Sequence, residues 1–194
     1  MPVYEDLGSG CLIDLKPYGI NEPLIRESLD AGVDIVSFSG DKLLGGTQAG
    51  FICGRAELVQ QARRHPMYRA LRLDKLVLSA LERMLRSLLL EDYANVPALA
   101  MLRLSYEEIA TRARALAAAI PNAEVIDGHS LAGGGSTPDQ TLPTALIAID
   151  KRHERRLRTG DPPIITRVDD DRVLIDLRTV LPEQESILLT ALAR

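Results

Sequence analysis

Apolar positions along this chain switch between a period near two and a period near 3.6, and the switches divide it into short strands and longer helices. Residues 2–6 read as a strand ending at Asp6, 23–31 as a helix, and the runs 33–36 and 49–53 as two buried strands. Residues 56–65 have helical spacing, which Pro66 interrupts. From Arg69 to Leu90, the residues Leu73, Leu76, Val77, Ala80, Leu81, Met84, Leu85 and Leu88 fall near i, i+3, i+4, i+7 and predict one long amphipathic helix. Asn95-Val96-Pro97 breaks the pattern, and a domain boundary is expected there. Beyond it the spacing predicts a helix over 98–120, a strand over 124–126, a glycine-rich loop over 129–140, a buried strand over 144–149 and a basic helix over 151–158. Residues 164–168 and 173–177 flank Asp169-Asp170-Asp171 as a hairpin with an acidic turn, and 183–193 form a last helix. The sum is an α/β chain whose C-terminal part sets helices against a mostly antiparallel sheet.

Between the runs 33–36 and 49–53 lies a loop rich in glycine and polar residues, Ser37 to Gly50, which carries a single lysine, Lys42. A loop between two buried strands lies at a sheet edge, where a lysine can be partly desolvated and act as an amine nucleophile. Lys42 with Ser39, Gly40, Gly45 and Gly46 can also cradle a phosphate, and an ordinary surface lysine in a turn fits the spacing equally. A P-loop does not, because its lysine follows the last glycine and precedes Ser or Thr, whereas Leu43 follows Lys42. Asp6 at a strand end before Gly8-Ser9-Gly10 has the position of a turn-capping carboxylate. Arg69 and Arg72, three apart in the first turn of the long helix, point the same way, as a solvated basic face or as a pair for an anion.

With 194 residues, 46% of them hydrophobic, the chain can bury a core in one or two small domains. A net charge of -4 argues against a self-sufficient nucleic-acid binder, which needs a dense Lys/Arg surface. Cys11 and Cys53 form no C-x-x-C pair, and His65, His129 and His153 have no partners at ligand spacing, so no metal is expected. No apolar run reaches the roughly 18–20 residues of a membrane span, and a reducing cytoplasm is the simplest location.

Several motifs in order, Asp6-Leu-Gly-Ser-Gly10, Ser37-Phe-Ser-Gly-Asp-Lys-Leu-Leu-Gly-Gly46, Gln48-Ala-Gly50, Arg69-Ala-Leu-Arg72 and Asp74-Lys75, resemble the bacterial selenocysteine synthases (L-seryl-tRNA(Sec) selenium transferases). The resemblance continues through Gly134-Gly-Ser136, Leu142-Pro-Thr144, Gly160-Asp-Pro-Pro-Ile164 and Leu174-Ile-Asp-Leu-Arg178. It implies a pyridoxal 5'-phosphate (PLP) enzyme of the aspartate aminotransferase superfamily, fold type I. Residues 1–94 would be the C-terminal part of its PLP-binding large domain and 95–194 a small α/β domain. By the same resemblance Lys42 carries PLP and takes the seryl Cα proton, and Asp6 partners the pyridine nitrogen. Ser9 lies near the ring 3-hydroxyl, Ser39 contacts the phosphate, and Arg69 and Arg72 hold the oxyanion of the selenium donor. One of Arg167 and Arg178 is expected to face the active site. The implied reaction converts seryl-tRNA(Sec) to selenocysteinyl-tRNA(Sec) with selenophosphate, in a homo-oligomer.

The predicted strands near residues 2–6, 33–38 and 49–53 supply only part of such a sheet, and the N-terminal part with which the family grips tRNA has no match here. The chain therefore resembles the C-terminal portion of a longer enzyme, and its half-sheet is expected to expose an edge and an apolar face. Two alternatives remain open at this level. A related PLP-dependent ammonia-lyase acting on a small amino acid or amino-sugar phosphate would share Lys42 and Asp6, and a non-catalytic oligomerisation module would need neither.

Overall fold

A computed structural model describes residues 1–192 except 134–136 and 138. The predicted glycine-rich motif at 133–136 thus falls almost wholly outside the described residues. The chain divides into two compact units, Met1–Arg103 with Ala132–Gln140, and Leu104–Leu131 with Thr141–Arg194.

The first unit contains β1 (Tyr4–Gly8), α1 (Ile25–Asp30), β2 (Ile35–Ser39), β3 (Gly50–Gly54), α2 (Ala56–Arg64), α3 (Pro66–Leu71), α4 (Lys75–Leu89) and α5 (Pro97–Arg103). Strand β1 pairs in parallel with β2, with Asp6 opposite Ser37, and α1 makes the crossover that parallel pairing requires. Strand β3 returns antiparallel to β2 and places Phe51 opposite Phe38, their rings stacked 5.0 Å apart. Side chains alternate across the strands. Val36 and Phe38, with Leu7, Phe51 and Cys53, pack on Ile25, Leu44, Met84, Leu85 and Leu88, and that burial fixes which face Asp6, Ser37 and Ser39 present on the other side.

The single helix expected from Arg69 to Leu90 is two helices. Arg72 is extended (φ -62°, ψ 140°), and the Asp74 carboxylate restarts the helix by accepting from the Leu76 and Val77 amides at 2.7 and 3.0 Å. The expected 98–120 helix also divides, because Ser105 and Glu108 form a reciprocal cap that starts α6 (Tyr106–Ala117). The two compact units part at Arg103/Leu104, a few residues beyond the Asn95-Val96-Pro97 break. Val96 and Leu99 are buried, and the Arg103 guanidinium donates to Tyr18 Oη at 2.8 Å and lies 4.8 Å from the Tyr93 ring centre, so α5 is tied into the first unit.

The second unit continues from α6 with β4 (Glu124–Leu131), β5 (Thr141–Asp150), α7 (His153–Arg158), β6 (Arg167–Asp169), β7 (Arg172–Asp176) and α8 (Glu185–Leu192). Its sheet is antiparallel throughout, in the order β4-β5-β7-β6. Strand β4 runs five residues beyond the expected end at 126, because every residue to Leu131 finds a partner on β5. Asp170 and Asp171 both take positive φ in the hairpin turn, a conformation that aspartate tolerates. Ile109, Ala113 and Leu116 of α6 and Leu188 and Leu192 of α8 close the core against Ile147, Val173 and Ile175.

Arg178 is 4% exposed and is held within the second unit. Its guanidinium donates to Ser130 Oγ, Leu104 O and Pro143 O at 2.7–2.9 Å, while Asp176 accepts from Ser130 Oγ and Thr144 Oγ1. Burial lowers the Arg178 pKa and Asp176 opposes that shift, yet the group stays cationic. Arg178→Leu would leave the Leu104 and Pro143 carbonyls and the Ser130 hydroxyl short of a donor and remove the positive charge near Asp176. It is expected to cost about 3 kcal/mol or more in urea unfolding. Arg167 donates to His129 O at 2.9 Å within the same unit. Both cysteines are free, and burial pushes the Cys11 thiol up to about 11.

Candidate active site

The loop that carries Lys42 is folded by its neighbours. Leu43 and Leu44 are buried at 4% and 1% exposure, so the chain immediately after Lys42 is anchored in the protein. Gly45 closes the turn by donating to Lys42 O at 2.9 Å. It has φ +76°, and a Cβ there would lie 2.7 Å from Val96 Cγ1, so only glycine fits. Gly46 N donates to Gly40 O and Gly40 N to Ala49 O, both at 2.8 Å, which ties the loop back onto the ends of β2 and β3. Lys42 therefore reaches out from a fixed turn and is half-buried.

Asp6, Gly8, Ser37, Ser39 and Lys42 line one cavity of about 1410 Å³, which continues past Phe51 and Ile52 to Tyr68, Arg72, Leu81 and Leu85. Lys42 Nζ lies 3.8 Å from the position a Cβ on Gly8 would take, two residues along β1 from Asp6. The amine and the carboxylate thus line the same cavity, on the polar side of the β1–β2 pair. Asp6 Oδ1 accepts from Gly8 N and from Ser37 Oγ, each at 3.1 Å. A half-buried amine, a cavity-facing carboxylate and the Ser39 hydroxyl are a donor set that suits PLP: an amine for its aldehyde, an acceptor for a protonated ring nitrogen, and a donor for a phosphate oxygen.

The other expected residues are placed less uniformly. Ser9 is 2% exposed, its hydroxyl engaged by the Glu22 carboxylate and by Leu7 O, and it is not part of the cavity wall. The tight turn at Gly8 and Gly10, both at positive φ, directs Ser9 into the protein. Arg72 lines the cavity, whereas Arg69 sits in the exposed last turn of α3. The two do not share the first turn of one helix, because α3 ends at Leu71 and Arg72 is extended.

Sequence reasoning passed over Ser37, Arg63 and Tyr68, which share the same wall. For Ser37 a signal existed: Ser37 and Ser39 are two apart on a strand and face the same side as each other. Arg63 lies in the last turn of α2, and only the fold of the 56–74 segment brings it to the cavity.

The fold is the one implied by the resemblance, part of the fold type I architecture with mixed α/β units. The solved structure of D-glucosaminate-6-phosphate ammonia-lyase shares it at TM-score 0.59 and 18% identity, over 99% of this chain and 48% of that one. Within that class the family follows from sequence. Residues 1–181 match the model of the SelA family, L-seryl-tRNA selenium transferase. The L-seryl-tRNA(Sec) selenium transferase of Alkaliphilus oremlandii is 45% identical over 206 residues, covering 98% of this chain and 44% of the relative. That of Geobacter sulfurreducens is 45% identical over 210 residues, covering 99% and 45%. The chain belongs to the L-seryl-tRNA selenium transferase family and spans a little under half the length of these curated relatives.

Proposed function

We propose that this chain forms the lysine-bearing side of a PLP site in an enzyme that converts seryl-tRNA(Sec) to selenocysteinyl-tRNA(Sec), with selenophosphate as selenium donor. The observation that carries the reading is the meeting of Lys42 and Asp6 on one cavity, in a chain 45% identical to selenium transferases. Bound PLP would supply the electron sink that acidifies the seryl Cα–H and lets the β-hydroxyl leave. Lys42 is the residue that holds the cofactor and, as a neutral amine, takes the Cα proton. Asp6 keeps a proton on the ring nitrogen, and Ser39 donates to the cofactor phosphate. Arg72, with Arg69 beside it at the exposed end of α3, pairs with the oxyanions of selenophosphate. Because the seryl carboxyl is esterified to tRNA, these arginines have no substrate carboxylate to bind.

Recognition of the tRNA is assigned to parts of the longer protein that this chain does not span, in keeping with its net charge of -4. Ile52, Leu71, Leu76 and Leu89 are exposed on the first unit, which supports covering by such a part or by another copy in a homo-oligomer. Among the described residues no helix is long and apolar enough to cross a membrane, and a cytoplasmic location suits a tRNA substrate. The ammonia-lyase alternative has only a shared fold behind it, whereas the transferase reading has the family match.

The positions of the two arginines make the donor role testable in a full-length transferase carrying this sequence. Arg72→Ala is expected to raise the KM for selenophosphate about ten- to a hundredfold with PLP still attached, as loss of a charge-assisted hydrogen bond would. Arg69→Ala should have the smaller effect. Unchanged dependence on selenophosphate in the Arg72 variant would remove the oxyanion role.

A further inference from the structure

We infer that Ser37, backed by Tyr4, is the positioning residue that sets the Asp6 carboxylate for its partner in the cavity; this rests on the reading of Asp6 as the ring-nitrogen partner. Ser37 is the cross-strand partner of Asp6 in the parallel β1–β2 pair. Its Oγ donates to Asp6 Oδ1 at 3.1 Å and lies 2.7 Å from Tyr4 Oη. A serine hydroxyl has one proton, and here that proton is directed to Asp6. The Tyr4 hydroxyl must then be the donor to Ser37 Oγ, giving a one-way chain from Tyr4 through Ser37 to Asp6 in which each bond polarises the next. Tyr4 and Asp6 are two apart on β1, so both project from the same side of the strand.

The division of labour on the carboxylate follows from these contacts. Oδ1 takes both the Ser37 hydroxyl and the Gly8 amide, two donors at 3.1 Å. Among the described residues Oδ2 accepts no hydrogen bond, while Asp6 is exposed on the cavity wall. One oxygen is thus anchored and the other is left to receive a proton donor from the cavity. The Gly8 amide alone fixes a distance, because a single bond to one oxygen leaves the carboxylate plane free to turn about it. The second donor, from the neighbouring strand, removes that freedom. Preorganisation of this kind matters where an ion must hold a proton on a ring at one point in space.

The test uses full-length protein reconstituted with PLP labelled with 15N in the pyridine ring, comparing wild type with Asp6→Asn, Ser37→Ala, Ser37→Thr and Tyr4→Phe. The readouts are the 15N shift of the ring nitrogen, which reports its protonation without turnover, and the separate values of kcat and KM. In Ser37→Ala the ring nitrogen is expected to lose proton occupancy and kcat to fall roughly tenfold at little-changed KM. Ser37→Thr, which keeps the hydroxyl, should restore both. Tyr4→Phe, which removes one hydroxyl from an exposed ring, should move the shift in the same direction by less. If Asp6→Asn loses ring protonation while Ser37→Ala and Tyr4→Phe keep the wild-type shift, Asp6 retains its role and the inference about Ser37 is wrong. If Asp6→Asn itself keeps that shift with cofactor bound, the reading of Asp6 fails and takes the inference with it.

Discussion

Lys42→Ala is expected to leave the full-length protein without covalently held PLP and to slow turnover by at least about a thousandfold, within the range lost when a general base and nucleophile is removed. The expectation comes from how the loop is built. Leu43 and Leu44 bury the chain next to Lys42, and the Gly45 turn holds its carbonyl, so the amine is presented from an anchored loop. Lys42→Arg should fail almost as completely, since a guanidinium neither loses its proton at neutral pH nor forms the same bond to an aldehyde. The check is visible absorbance after dialysis, together with single-turnover formation of selenocysteinyl-tRNA. Retention of the cofactor chromophore in Lys42→Ala would overturn the assignment.

The second large effect is on turnover alone. Asp6→Asn is expected to keep PLP attached and to lower kcat by about 10²–10³-fold, the scale seen when one electrostatic stabiliser is removed from a preorganised site. The two side chains have nearly the same shape, and an amide oxygen can still accept from the Gly8 amide and the Ser37 hydroxyl, so the local fold should survive. What disappears is the negative charge that favours a protonated ring nitrogen. Equal loss of attachment and of rate would instead mark Asp6 as a structural residue of the β1 turn. The contrast between Lys42→Ala and Asp6→Asn is thus more informative than either alone.

Much of this arrangement was legible in the sequence, for reasons that differ by element. The apolar run 33–36, the Lys42 loop and the return strand 49–53 were readable because burial on one face imposes a strict pattern, and the parallel crossover followed from the helix between the first two strands. The helix boundaries were less visible. Apolar spacing continues through Arg72-Leu73-Asp74 and through Leu104-Ser105, and only the caps interrupt it. The Ser105-x-x-Glu108 box was present in the sequence as a start signal inside an apparently continuous helix. The compact units part at Arg103/Leu104, beyond the local proline break, and the long-range pairing of Arg103 with Tyr18 that ties α5 to the first unit leaves no periodic trace.

The site divides along the same line. That Lys42, Asp6 and Ser39 line one cavity follows from strand and loop positions, which fix which way they face, while their expected roles came from the resemblance. Ser9, by contrast, is turned inward by Gly8 and Gly10 onto Glu22, thirteen residues further along, a contact that spacing does not encode. Arg69 and Arg72 were expected to project together from one helix turn. The helix ends between them, and of the two Arg72 lines the cavity. Ser37 was hidden in plain view, since its contact with Asp6 depends on the register of a parallel pair and not on any motif.

The most direct measurement is borohydride reduction of the PLP-treated full-length protein, followed by peptide mapping across the four lysines of this chain, Lys16, Lys42, Lys75 and Lys151. A pyridoxyl group on the Lys42 peptide alone is the predicted result. A label on any of the other three in its place, or on none of them, would contradict the central claim that this loop is where the cofactor is held.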